Sequence, residues 1–125
     1  MIVLDTSALV DALTGPRRSA PKLRAMIDGG ERLLLPTLVL YEWLRGPRLP
    51  EELAAQAALL PPEEALAFTA EEAAVAAMLY AEVPRARGRE LDLAIAAHAV
   101  VRNATIWTLN HTDFDDLGGV MVLSE

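Results

Sequence analysis

The chain has no cysteine, one lysine and two histidines among its 125 residues. The missing cysteine excludes disulfides, thiolate zinc sites, iron–sulfur clusters and thiol nucleophiles, and is compatible with a reducing cytoplasm. With only His98 and His111, neither histidine has a second imidazole or a Ser-His-Asp partner nearby in sequence. No uncharged stretch is long and apolar enough for a transmembrane helix. Met1-Ile2-Val3-Leu4-Asp5 reaches a charge almost at once without a basic leader, so neither a signal peptide nor a membrane anchor is expected. Repeats and low-complexity tracts are missing as well. Positive charge is scarce: 11 Lys+Arg stand against 18 Asp+Glu, for a net charge of −7. Taken alone, that acidity argues against a nucleic-acid partner, because phosphate binding is driven by positive surface.

What is present is a packable chain, 53% hydrophobic. Its length predicts one domain over residues 1–125, able to bury roughly two-thirds of its unfolded surface without a staple. Apolar runs and turn residues alternate. Strands are expected at 2–4, 32–35, 105–109 and 120–123, with a weaker candidate at 65–68 whose alanines suit a helix equally well. Helices are expected at 8–13 after Thr6-Ser7 as capping residues, at 19–27, at 37–44 from Thr37, at 50–60, at 69–82 behind the capping box Thr69-Ala70-Glu71-Glu72, and at 90–103. Residues 83–88 read as a loop. Strands alternating with helices imply an α/β fold with a parallel sheet between helices, and chemistry in such sheets collects beyond the carboxyl ends of the strands.

Four acidic residues fall at or over that edge: Asp5 closing the first strand, Glu42 within an apolar helix, Asp92 opening the helix at 90–103, and Asp113 in the turn after the strand ending at Leu109. Each has a plain structural reading. Asp5 could be a strand-end turn residue, Asp92 a helix-dipole partner, Asp113 an Asx turn beside Asp115 and Asp116, and Glu42 the wet stripe of an amphipathic helix. Together they read differently. Like charges 4 Å apart repel by about 1 kcal/mol in water and about 4 at an effective dielectric of 20, so a converging cluster must take up protons or bind cations. Oxygen ligands without imidazole or thiolate favour Mg²⁺ or Mn²⁺. Such a metal site suits phosphodiester hydrolysis by an activated water.

Four segments carry a resemblance to a known family: Met1-Ile2-Val3-Leu4-Asp5-Thr6-Ser7-Ala8-Leu9, Thr37-Leu38-Val39-Leu40-Tyr41-Glu42, Leu91-Asp92-Leu93-Ala94-Ile95-Ala96-Ala97-His98-Ala99, and Thr108-Leu109-Asn110-His111-Thr112-Asp113-Phe114. In this order they resemble the PIN domain, and most closely the VapC-type toxin ribonucleases of toxin–antitoxin pairs. The resemblance spans essentially the whole chain. It implies a three-layer α/β/α fold with a parallel sheet of about five strands, and a Mg²⁺-dependent endoribonuclease with Mn²⁺ as a substitute. It also implies a cognate antitoxin, a homodimer, and catalysis by Asp5, Glu42, Asp92 and Asp113. Asp5, Asp92 and Asp113 would be the metal-holding carboxylates, the first two the direct ligands. Thr6, Ser7, Thr108 and Asn110 match polar supporting positions. The loop between Leu109 and Asp113 departs from the family's frequent basic residue, offering only His111.

Positive charge is concentrated in two groups. Arg17, Arg18, Lys22 and Arg24 read as a solvated face, whereas Arg85, Arg87 and Arg89 form an arginine loop beside Asp92, suited to RNA phosphates. Trp43 and Trp107, in apolar surroundings, are expected in the core, as is His98, while His111 reads as a loop residue. The runs Leu33-Leu34-Leu35 and Leu38-Val39-Leu40-Tyr41 exceed what a small core needs and are compatible with an interface. The competing reading is a catalytically silent PIN-fold module that binds RNA or protein. A phosphoacceptor domain is set aside because it needs a lysine near the last strand, and the one lysine is Lys22. Without the quartet, 14 acids face 11 bases, −3, so much of the excess acidity belongs to the proposed cation site.

Overall fold

In the computed structural model, which describes residues 1–123, Ile2–Leu4 form β1, a strand buried on both faces. Ser124 and Glu125, the end of the expected 1–125 domain, lie outside the described residues. The chain continues through α1 (Thr6–Leu13), α2 (Ala20–Asp28), β2 (Leu33–Leu34), α3 (Thr37–Arg45) and α4 (Pro50–Leu59). After a short 3₁₀ turn at Pro62–Glu64 come α5 (Ala70–Glu82), α6 (Glu90–Arg102), β3 (Thr105–Trp107), a 3₁₀ turn at His111–Asp113 and β4 (Met121–Val122). The described strands form one sheet in the order β2-β1-β3-β4, every pair parallel. An α/β architecture with a buried parallel sheet is what the continuous apolar runs require.

The expected helices and four of the five expected strands are present, three of those strands shorter. The candidate strand at 65–68 contracts to a single parallel bridge between Pro36 and Leu66, so four strands and one bridge stand where about five strands were expected. Leu66 N–H donates to the Leu35 carbonyl and Thr37 N–H to the Leu66 carbonyl, and the ladder stops there because the chain turns into α3 at Thr37. Thr6 and Ser7 lie inside α1 instead of capping it, with Asp5 at the N-cap, and Pro36 takes the N-cap of α3 that Thr37 was expected to fill. The capping box ahead of α5 is present: Thr69 N–H donates to Glu72 Oε2 at 3.3 Å, and the Thr69 hydroxyl bonds the same carboxylate.

Helix burial follows the sequence stripe. α1 turns Ala8, Leu9, Ala12 and Leu13 inward, and α3 turns Val39 and Trp43 inward, an i,i+4 pair that leaves Glu42 to one side. α6 is buried along Leu93, Ile95, Ala96, Ala97, His98 and Ala99, and its alanines let it lie closely on β1, β3 and α5. Trp43, Trp107 and Phe114 fill the core with essentially no exposure. Among the described residues no helix is long and apolar enough to cross a membrane.

Candidate active site

Register decides what lies together. Leu4 pairs with Trp107, so the residues that follow, Asp5 and Thr108, emerge side by side at the carboxyl edge of the sheet. Asp5 N–H donates to the Trp107 carbonyl at 2.9 Å, and the Thr108 hydroxyl donates to Asp5 Oδ2 at 2.7 Å. Ser7 adds a second bond to Oδ2 at 3.1 Å, and its own oxygen accepts the Leu109 N–H at 2.9 Å. Asn110 N–H in turn donates to the Thr108 hydroxyl at 2.9 Å. Asp5 stands at the N-cap of α1 but makes no side-chain cap bond to it. A carboxylate only 5% exposed and aimed by two hydroxyls is preorganised, with both bonds on one oxygen.

Thr6, next in the chain, donates to Glu42 Oε1 at 2.6 Å and so ties α3 to the start of α1. Glu42 is 19% exposed and has Arg45 beside its other oxygen at 3.4 Å. Of the four supporting residues expected, Thr6, Ser7 and Thr108 thus act through side-chain hydroxyls and Asn110 through its backbone.

Asp92 occupies the third position of α6, where the helix dipole favours a charged carboxylate. Its pKa nevertheless rises from 3.8 to about 6, through burial first and then the negative charges of Asp113, Asp5 and Glu42, with Arg89 pulling the other way. The structure therefore brings all four carboxylates into one electrostatic neighbourhood. Repulsion exceeds what the nearby cation offsets. Among the described residues no three His, Cys, Asp or Glu side chains close around one point, so the quartet is a spaced cluster and not a finished all-protein cage. The donor set, all hard oxygen and in excess of positive charge, is of the kind that takes a hard divalent cation.

The arginine loop divides. Arg85 and Arg87 are exposed, and Arg87 stands near Glu90. Arg89 is turned back: its guanidinium bonds both oxygens of Asp116 at 2.8 and 2.7 Å and donates to the Asp113 carbonyl at 2.9 Å. In the sequence Asp116 stands only as a neighbour of Asp113, and its pairing with Arg89 was not expected. The one signal available is that Arg89 precedes Asp92 by the same three residues by which Asp116 follows Asp113. A second polar cluster also went unread: Glu72 on α5 accepts from Arg102 at 3.1 Å and lies 3.6 Å from His98 Nδ1, with both Glu72 and His98 buried.

The PIN domain family model matches residues 2–120. Among solved structures, VapBC2 from Rickettsia felis, bound to a DNA fragment from its promoter, is similar at a TM-score of 0.74 and 21% identity over 98% of each chain. DNA-bound VapBC from Salmonella typhimurium gives 0.75 and 20%, covering 98% of this chain and 96% of that one. FitAcB from Neisseria gonorrhoeae gives 0.72 and 19%, covering 99% and 97%. No curated protein matches the chain. The structural likeness, at these identities, concerns the fold. With the family match running from β1 to the residue before β4, through every segment that brings a carboxylate to the sheet edge, the chain belongs to the PIN domain family.

Proposed function

We propose that this protein is a Mg²⁺-dependent endoribonuclease, the toxin of a type II toxin–antitoxin pair. The observation that carries the proposal is the gathering of carboxylates at the carboxyl edge of the sheet, where Asp5 is fixed by Thr108 and where burial first, then the charges of Asp113, Asp5 and Glu42, push Asp92 up. Asp5 and Asp92 would hold the ion directly, with Asp113 completing the site and Mn²⁺ able to substitute. Bound there, the metal supplies a water of lowered pKa and neutralises charge on the phosphate. The rest falls to the chain. Ser7 and Thr108 fix the Asp5 carboxylate, Thr6 fixes Glu42, and Glu42 would orient the attacking water or accept a proton from it. Arg85 and Arg87, exposed beside the start of α6, draw the RNA backbone in.

Two partnerships belong to this reading. The solved relatives are toxin–antitoxin complexes, which supports a cognate antitoxin for this chain, and a second copy is proposed as well. Tyr41, Leu44, Leu49 and Leu53 supply exposed apolar surface for such contacts. The test is incubation of a total RNA pool with the wild-type protein and with Asp92→Asn, with and without Mg²⁺, followed by mapping of the cut ends. Cleavage by the wild type only in the presence of metal is the expected result. No cleavage by either protein would favour the silent binding module, and equal cleavage by both would remove Asp92 from the catalytic machinery.

A further inference from the structure

Arg89 and Asp116 are the strongest feature that the proposed function leaves unused. Arg89 stands at the N-cap of α6, one turn ahead of Asp92, and Gly88 before it has φ +89°, a left-handed turn that aims the chain there. Asp116 follows the 3₁₀ turn that ends in Asp113. The guanidinium makes a two-pronged pair with Asp116 and a third bond to the Asp113 carbonyl, at 2.7 to 2.9 Å. One side chain therefore joins the two segments that bring Asp92 and Asp113 together.

Nothing covalent holds the 111–116 turn to α6. Exposed ion pairs in general contribute little, but forked Arg–carboxylate geometry adds direction, and here the Arg89 side chain is only 20% exposed. We infer that Arg89 and Asp116 form a positioning latch that holds the Asp113 turn against the start of α6, setting the spacing of the two carboxylates, and that Arg89 is not a phosphate ligand. The inference rests on the proposed nuclease reading for its catalytic consequence, but the latch itself can be seen without catalysis.

The experiment compares Arg89→Ala, Arg89→Lys, Asp116→Ala and the double variant Arg89→Ala/Asp116→Ala. Three quantities are measured for each: amide hydrogen exchange over residues 110–117, Mn²⁺ affinity by calorimetry, and kcat and KM on a fluorescent oligoribonucleotide. A latch predicts faster exchange of that segment and weaker Mn²⁺ binding in both alanine variants. It also predicts kcat down about tenfold to a hundredfold, the scale of misplaced catalytic groups, with KM changed less than twofold. The double variant should be no worse than either single one, and Arg89→Lys should remain impaired, because an ammonium cannot make the fork. A phosphate role predicts something else: Arg89→Ala raises KM, Arg89→Lys largely recovers, and Asp116→Ala, which frees the guanidinium, lowers KM or leaves it unchanged. That pattern would overturn the latch, as would unchanged exchange in both alanine variants. If the wild type cleaves no RNA, the nuclease reading fails separately, and exchange together with Mn²⁺ affinity still decides the latch.

Discussion

Two clusters of charged groups meet α6 about two turns apart, at Asp92 and at His98, and the protein treats them in opposite ways. At Asp92 burial favours the neutral acid, acidic neighbours add to it, and the carboxyl is pushed up to about 6. At Glu72, burial also favours the neutral acid, but the Thr69 hydroxyl, the helix backbone and Arg102 outweigh it and hold the pKa at about 2. The second cluster is closed: anion, cation and imidazole are satisfied by one another, apart from His98 Nε2, which has no hydrogen-bond partner. The first is open, with four carboxylates against two partly engaged arginines. Burial of acid alone does not mark a site. Uncompensated acid does, because its missing counter-charge must come from outside the chain.

The sharpest way to test the contrast is to neutralise one acid in each cluster. Asp92→Asn removes a repelled charge and keeps the shape, so RNA cleavage should fall a hundredfold to a thousandfold while metal-free stability is unchanged or improved. Glu72→Ala should do the reverse. Removing one partner of a buried ionic cluster costs about 3 kcal/mol, so the melting temperature should drop by roughly 10 °C while cleavage per folded molecule persists. Calorimetric melting and single-turnover cleavage on both variants read the two effects. If Glu72→Ala lost activity without losing stability, the division between the clusters would be mistaken.

The next effect is smaller and has a sign. The folded, metal-free protein binds a proton at Asp92 more readily than the unfolded chain does, since its pKa is raised from 3.8 to about 6. That contribution to stability is present below about pH 4 and is lost as pH rises through 6. His98 runs the other way: burial and Arg102 lower its pKa against the pull of Glu72, so protonation favours the unfolded chain as pH falls below 6.5. The difference between wild type and Asp92→Asn therefore isolates the Asp92 contribution. In metal-free urea unfolding it should change by about 1 kcal/mol between pH 7.5 and 5, allowing for solvent screening, and saturating Mg²⁺ should abolish it. A difference that is flat without metal would mean that the quartet does not interact as its geometry implies.

How much of this was legible beforehand follows from where each determinant lies along the chain. Asp5, Glu42, Asp92 and Asp113 could be read because each sits in a short local pattern, a strand end or the apolar stripe of a helix. The Thr69–Glu72 capping box is local too, and it is present where expected. What could not be read is contact across distance. The bond from Thr108 to Asp5 depends on the register of β1 with β3, and that from Thr6 to Glu42 on the packing of α1 against α3. Arg89 shows the same limit: its composition suggested phosphate contacts, whereas the fold places it on Asp116. The candidate strand at 65–68 contracted because its partner turns into α3 straight after Pro36, a property of the neighbour and not of its own alanines.

The smallest effect separates two arginines by the same contrast. Arg102 is 24% exposed and spent on Glu72, whereas Arg87 is exposed in the loop before α6. A phosphate contact to single-stranded RNA contributes about 0.7 to the slope of log affinity against log salt, so Arg87→Ala should weaken binding severalfold at low salt and flatten the slope by about that amount. Arg102→Ala should lower stability and leave the slope alone. Both can be measured by fluorescence anisotropy of a labelled oligoribonucleotide in EDTA, where no cleavage interferes. Metal affinity should be the same in Arg87→Ala as in the wild type, since Arg87 is not among the groups that shift Asp92. An unchanged salt slope in Arg87→Ala would move the RNA path off this loop while leaving the carboxylate site intact, because the two depend on different charges.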